Sequence, residues 1–111
     1  MNIYKLTAFY ETDLGRRVLA SPEVHREWPF NLVLGEDRQT QVQGVIDCAF
    51  REGDSWIILD YKTDHIDSEE AFVQRHQEQL RWYARALETL TGIPVKEMYL
   101  YSIGKEKAYR V

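Results

Sequence analysis

The chain has 111 residues, an apolar share of 44% and a formal net charge of −4, enough for one compact domain and no more. The acidic balance excludes nucleic-acid binding through bulk positive charge, but leaves open a local site where a bound cation supplies the charge. A single cysteine, Cys48, excludes an internal disulfide framework and fits a reducing compartment; no apolar run nears a membrane span, and "MNIYKLTAFYETDLGRRVL" lacks the order of a signal peptide, so a soluble, cytoplasmic domain with no membrane partner is expected.

From about Leu6 to Ala20, apolar residues at Leu6, Phe9, Tyr10, Leu14 and Val18 predict one short amphipathic helix, stopped by Ser21-Pro22. In "EVHREWPFNLVLG", Val24, Arg26, Trp28 and Phe30 alternate with polar residues. This predicts a strand in which Pro29 marks an edge or a bulge. "RQTQVQGVIDCAFRE" and "SWIILDYKT" predict two further strands. Gly53-Asp54 joins them as a two-residue turn, with glycine first as a type II′ turn prefers. A long helix follows from about Ser68 to Leu90. Ser68 is its N-cap, acids suit its first turn, and its apolar face runs Phe72, His76, Leu80, Tyr83, Leu87, Leu90. "TGIP" closes it, "VKEMYLYSIG" alternates as a strand, and "KAYRV" pairs with that strand across Gly104-Lys105. The order α-β-β-β-α-β(-β) predicts an α/β (α+β) fold with a central mixed sheet and flanking helices.

The two-residue turn sets a register. It places Glu52 opposite Ser55 and, counting outward, Asp47 opposite Asp60. Directly opposed side chains share a face, with Cβ atoms about 5 Å apart. Lys62, two residues past Asp60, points to that face too. A three-residue turn would send the aspartates to opposite faces. Opposed like charges are destabilising, so something must offset them: a shared proton, an ion pair with Lys62, or a divalent cation. One aspartate in a strand is more often merely solvated. Two at matched positions, inside "VID" and "ILDYK", favour a site because Asp is depleted in strands. With a cation bound, a phosphoryl oxygen is polarised and a bound water becomes more acidic. Lys62 can then orient that water or stabilise charge on the phosphate. The pattern favours metal-assisted phosphodiester hydrolysis over proton transfer alone.

"GVID" followed after a hairpin by "LDYKT" resembles the nuclease domain of the RecB-like branch of the PD-(D/E)xK superfamily. "HREWPF" resembles that branch's glutamate-bearing strand, "RHQEQLRWYARALE" its helix with a glutamine and a tyrosine four apart, and "GIPVKEMYLYSIG" its closing strand. The likeness runs from Glu23 onward. It implies a restriction-endonuclease-like core and Mg²⁺ as cofactor, with Mn²⁺ as the alternative. By the same resemblance Asp47 and Asp60 are metal-binding carboxylates, the backbone carbonyl of Tyr61 is a further ligand, and Lys62 is catalytic. Glu27 matches the upstream acidic residue, and Gln79 and Tyr83 match the helix motif that contacts the site or the DNA. Gln79 and Tyr83 do share a helix face, and Tyr83 serves equally well as a core aromatic.

The branch also carries a metal-binding histidine well upstream of the glutamate strand, and none matches here. His25, His65 and His76 are read as structural or solvated. No "GxxxxGK[ST]" phosphate cradle is present. The expectation is a single domain, residues 1–111, that is a fragment of a larger protein. The resemblance implies an exodeoxyribonuclease module of an ATP-dependent helicase–nuclease for double-strand-break repair and recombination. Its implied partners are DNA, the helicase region of the parent chain and a second nuclease subunit. The alternative is a catalytically inactive, nuclease-like scaffold for DNA or protein binding. A small-molecule enzyme using an acid dyad lacks any pocket signature.

Overall fold

Hydrophobic periodicity runs unbroken through the first twenty residues, yet the backbone there breaks once. The computed structural model describes residues 3–34, 36 and 39–111, excluding the side chains of 3–6 and 34. In it α1 (Ile3–Glu11) and α2 (Asp13–Ala20) replace the single helix expected. Thr12 makes the break: its hydroxyl donates to the Phe9 carbonyl at 2.6 Å and accepts from the Gly15 amide at 3.0 Å, an N-cap for α2. Gly15 lets the two helices close up, since a Cβ there would lie 2.1 Å from the Phe9 carbonyl oxygen. Leu6, the first residue of the expected apolar face, lies outside the described side chains.

The strands are β1 (Val24–Leu34), β2 (Thr40–Glu52), β3 (Ser55–Lys62), β4 (Val95–Ser102) and β5 (Lys107–Arg110), with α3 (Glu69–Thr91) between β3 and β4. They form one sheet in the order β1-β2-β3-β4-β5. Every pair is antiparallel except β3 and β4, which are parallel and connected through α3. This is the mixed α+β sheet expected. Pro29 sits on the edge strand β1, opposite Val45, as expected for a proline in a sheet.

Helices cover both faces. Phe9, Leu14 and Val18 of α1 and α2 pack with Cys48, Phe50, Ile57, Leu59 and Tyr101. Phe72, Leu80, Ala84 and Leu87 of α3 pack on the opposite face with Ile46, Ala49, Trp56, Ile58 and Leu100. Ser68 caps α3 by accepting from the Ala71 amide at 3.2 Å, and Gly92 closes it at φ +72°. The apolar face of α3 ends one turn earlier than expected. Leu90 is 54% exposed, because it reaches the groove beside Trp28 and Phe30 of the edge strand rather than the core. The last hairpin is also wider than expected: Ser102 pairs with Lys107, so Gly104-Lys105 lies within a four-residue loop, 103–106. No helix among the described residues is long and apolar enough to cross a membrane.

Candidate active site

The hairpin register is the one the turn dictates. Glu52 pairs with Ser55 and Gly53 carries a positive φ of 63°, but the ladder ends at Cys48–Leu59, one rung short of the expected Asp47–Asp60 pair. On β3, Trp56 and Ile58 face α3 while Ile57 and Leu59 face α1 and α2. Alternation then puts Asp60 and Lys62 on the α3 side. Asp60 is buried, only 4% exposed. Lys62 Nζ lies 2.9 Å from Asp60 Oδ2 and donates to Gln79 Oε1 at 2.8 Å. Gln79 Nε2 in turn donates to the Tyr83 hydroxyl at 2.9 Å. The ammonium approaches Asp60 off the line of a hydrogen bond. That carboxylate oxygen is therefore buried beside a charge but without a directed hydrogen bond.

Tyr83 is half-buried. Its ring meets Phe30 edge-on at 5.4 Å and lies over Gly44, where a Cβ would come within 2.9 Å of it. It is a core aromatic and a site residue at once. Burial, then the charge of Asp60, raises its phenol pKa.

Asp47 completes the group. Its Oδ2 accepts from the Tyr61 amide at 2.9 Å. Burial first, and then contact with the Asp60 carboxyl, pushes Asp47 up to about 7. Two carboxyls side by side, one holding an oxygen without a directed hydrogen bond, suit a hard divalent cation. Such ions take one or two carboxylates and complete their shell with carbonyl, water and phosphate oxygens. Among the described residues no three His, Cys, Asp or Glu side chains converge, so a cation here would draw on that wider oxygen set. Each histidine is engaged elsewhere. His25 stacks on Trp28 at 4.0 Å, His65 pairs with Asp67, and His76 pairs with Asp64.

Glu27 reaches the group by a backbone irregularity. The β1–β2 ladder pairs Arg26 with Cys48 and Trp28 with Ile46, and omits Glu27 and Asp47. Glu27 stands at φ +48°, the left-handed region that a residue with a Cβ rarely occupies. Ile46 and Ala49 both belong to the core under α3, although strict alternation would separate them. The expected alternation Val24, Arg26, Trp28, Phe30 is likewise broken: Val24 packs with the α1–α2 core, Trp28 and Phe30 with the α3 core. As a result Arg26, Glu27, Asp47 and Tyr61 line one cleft of about 410 Å³, together with Tyr10, Thr63 and Ile103. Lys62, Gln79 and Tyr83 do not line it; Asp47 links the cleft to them through Asp60. Arg26 and Tyr10 carried no expectation of function. Arg26 reads as an inward strand position only while the alternation is assumed unbroken.

A helix-covered mixed sheet with paired acids and a lysine where β2 and β3 separate is a nuclease-type arrangement. Residues 5–110 match the model of the PD-(D/E)XK nuclease superfamily, and the chain belongs to that superfamily. It is 40% identical over 115 residues to the A subunit of the ATP-dependent helicase/nuclease of Thermoanaerobacter sp. (strain X514), covering 91% of this chain and 9% of the relative. It is 35% identical over 119 residues to the same-named protein of Clostridium kluyveri (strain ATCC 8527 / DSM 555 / NBRC 12016 / NCIMB 10680 / K1), covering 96% and 10%. To that of Geobacillus thermodenitrificans (strain NG80-2) it is 40% identical over 121 residues, covering 91% and 10%. The chain thus spans about a tenth of the length of the curated relatives it matches.

Proposed function

We propose that this chain is the metal-dependent nuclease module of an ATP-dependent helicase–nuclease, acting as an exodeoxyribonuclease in double-strand-break repair and recombination. The observation that carries the reading is the buried Asp60 Oδ2. It has the Lys62 ammonium at 2.9 Å without a directed hydrogen bond, and a second carboxyl stands beside it. In this reading Asp47, Asp60 and the Tyr61 carbonyl hold the ion, Mg²⁺ with Mn²⁺ as the alternative. A divalent ion supplies positive charge to a phosphoryl oxygen and a more acidic water. Lys62 orients the attacking water and offsets charge growing on the phosphate. Gln79 fixes the Lys62 ammonium, and Tyr83 fixes Gln79. Glu27 supports from the cleft wall. The relatives' names support a helicase region as partner; DNA and a second nuclease subunit belong to the same proposal.

Thermal unfolding of the chain with and without Mg²⁺ or Mn²⁺ tests the ion. A cation-dependent rise in Tm that disappears in Asp60→Ala supports the reading. A folded chain indifferent to both cations favours the nuclease-like scaffold for DNA or protein binding. Cleavage of single-strand and duplex DNA by the longer parent protein, with and without Asp60→Ala, then tests the activity.

A further inference from the structure

Arg26 stands out because the left-handed Glu27 puts two successive strand residues into one cleft. Among the described residues it makes no ion pair, whereas Arg17, Arg51, Arg75 and Arg81 each do. Its guanidinium lies 5.6 Å from the centroid of the Tyr10 ring and also meets the Tyr61 hydroxyl, contacts that restrain the side chain and leave most of its five donors to a ligand. Its side chain is exposed in the cleft that Asp47 and Tyr61 line. Two acids, Glu27 and Asp47, share that cleft, and by themselves they would repel an anion. At about 410 Å³ the cleft lies within the roughly 300–1,000 Å³ range of ligand sites.

We infer that Arg26 is a phosphate clamp: its guanidinium holds a backbone phosphate of single-stranded DNA in the cleft beside the Asp47–Asp60 pair. This rests on the nuclease reading for the nature of the ligand. A planar fork of donors matches two phosphate oxygens, and the arginine keeps its charge at any working pH. It supplies in the cleft the positive charge that the chain's overall balance denies it.

The test is anisotropy of fluorescein-labelled dT12 with the wild-type chain, Arg26→Ala and Arg26→Lys. Each is measured across a salt series, once with Ca²⁺ and once with EDTA. Arg26→Ala is expected to bind about tenfold more weakly, with the slope of log affinity against log salt reduced by about 0.7, the loss of one single-strand phosphate contact. Arg26→Lys should recover the slope and part of the affinity, since it keeps the charge and loses the fork. An unchanged Mg²⁺-induced Tm shift in both variants shows that the fold and cation site survive. Equal affinity and slope in wild type and Arg26→Ala, or no binding by the wild-type chain, overturns the clamp. A wild-type chain without a Mg²⁺ shift whose dT12 binding still depends on Arg26 would instead overturn the metal reading and leave the clamp standing.

Discussion

Lys62 is held from two sides, by Asp60 of its own strand and by Gln79 of α3. The ammonium lies between Asp60 and Gln79, and Gln79 is itself restrained by the Tyr83 hydroxyl. A hydrogen bond to a charged group contributes about 1.5–3 kcal/mol. Gln79→Ala in the parent protein should therefore lower kcat by roughly tenfold to a hundredfold, with KM little changed, because Gln79 acts through Lys62 rather than on the strand. Single-turnover cleavage checks this. A raised KM at constant kcat would instead put Gln79 in direct contact with DNA. Asp60 and Lys62 fall on one face because the strand period is two, whereas Asp47, expected directly opposite Asp60, lies beyond the last paired rung, at the irregularity beside Glu27. Arg26 was not legible, because its place in the cleft comes from the backbone of its neighbour. A glutamate at φ +48° leaves no mark in the letters.

Backbone irregularities set the relations between elements, and two of them make separable predictions. Glu27 sits where a non-glycine residue costs about 1 kcal/mol or more. Glu27→Gly should relieve that strain and raise Tm by a few degrees, while cleavage by the parent protein falls as the carboxylate is lost. A falling Tm would mean that Glu27 contacts outweigh the strain. Gly15 is the opposite case. A Cβ placed 2.1 Å from the Phe9 carbonyl must push α1 and α2 apart, so Gly15→Ala should cost about 3 kcal/mol in denaturant unfolding. These two positions also mark where pattern reading stops. Apolar spacing crosses Thr12 without a change of phase, so one helix and two look alike. At Glu27 both β1 and β2 change face together, so each half-strand alternates correctly while the whole does not. The β2–β3 hairpin and the capped α3 were legible because turn residues and caps are local signals.

At the scale of the molecule, charge is distributed between two ends of the sheet, and the two ends respond to pH in opposite senses. Away from the cleft, Arg17 of α2 forks between Glu52 at 2.8 Å and Glu97 at 3.1 Å, with Lys96 also 2.8 Å from Glu52. Arg17 and then Lys96 pull Glu52 down to about 2 from its ordinary 4.5. A depressed carboxylate adds stability that is present above pH 4.5 and lost as pH falls through about 2. At the cleft, Asp47 is pushed up from 3.8 to about 7, so the folded state holds its proton more tightly than the unfolded chain. That contribution is fully present below pH 3.8 and is lost as pH rises through about 7. The metal-free chain should then be most stable near pH 4–5 and weaken toward neutrality, measured as Tm across a pH series. A cation competes with the Asp47 proton, so the Mg²⁺-induced rise in Tm should grow from pH 4 to pH 7 and move the maximum toward neutrality. Asp47→Asn should flatten the neutral side of the metal-free profile and remove the Mg²⁺ response, while the acid side, set by Glu52 together with the likewise depressed Glu97, Asp64 and Glu69, stays as it was. A neutral-side slope that persists in Asp47→Asn would assign it to a group outside the acid pair.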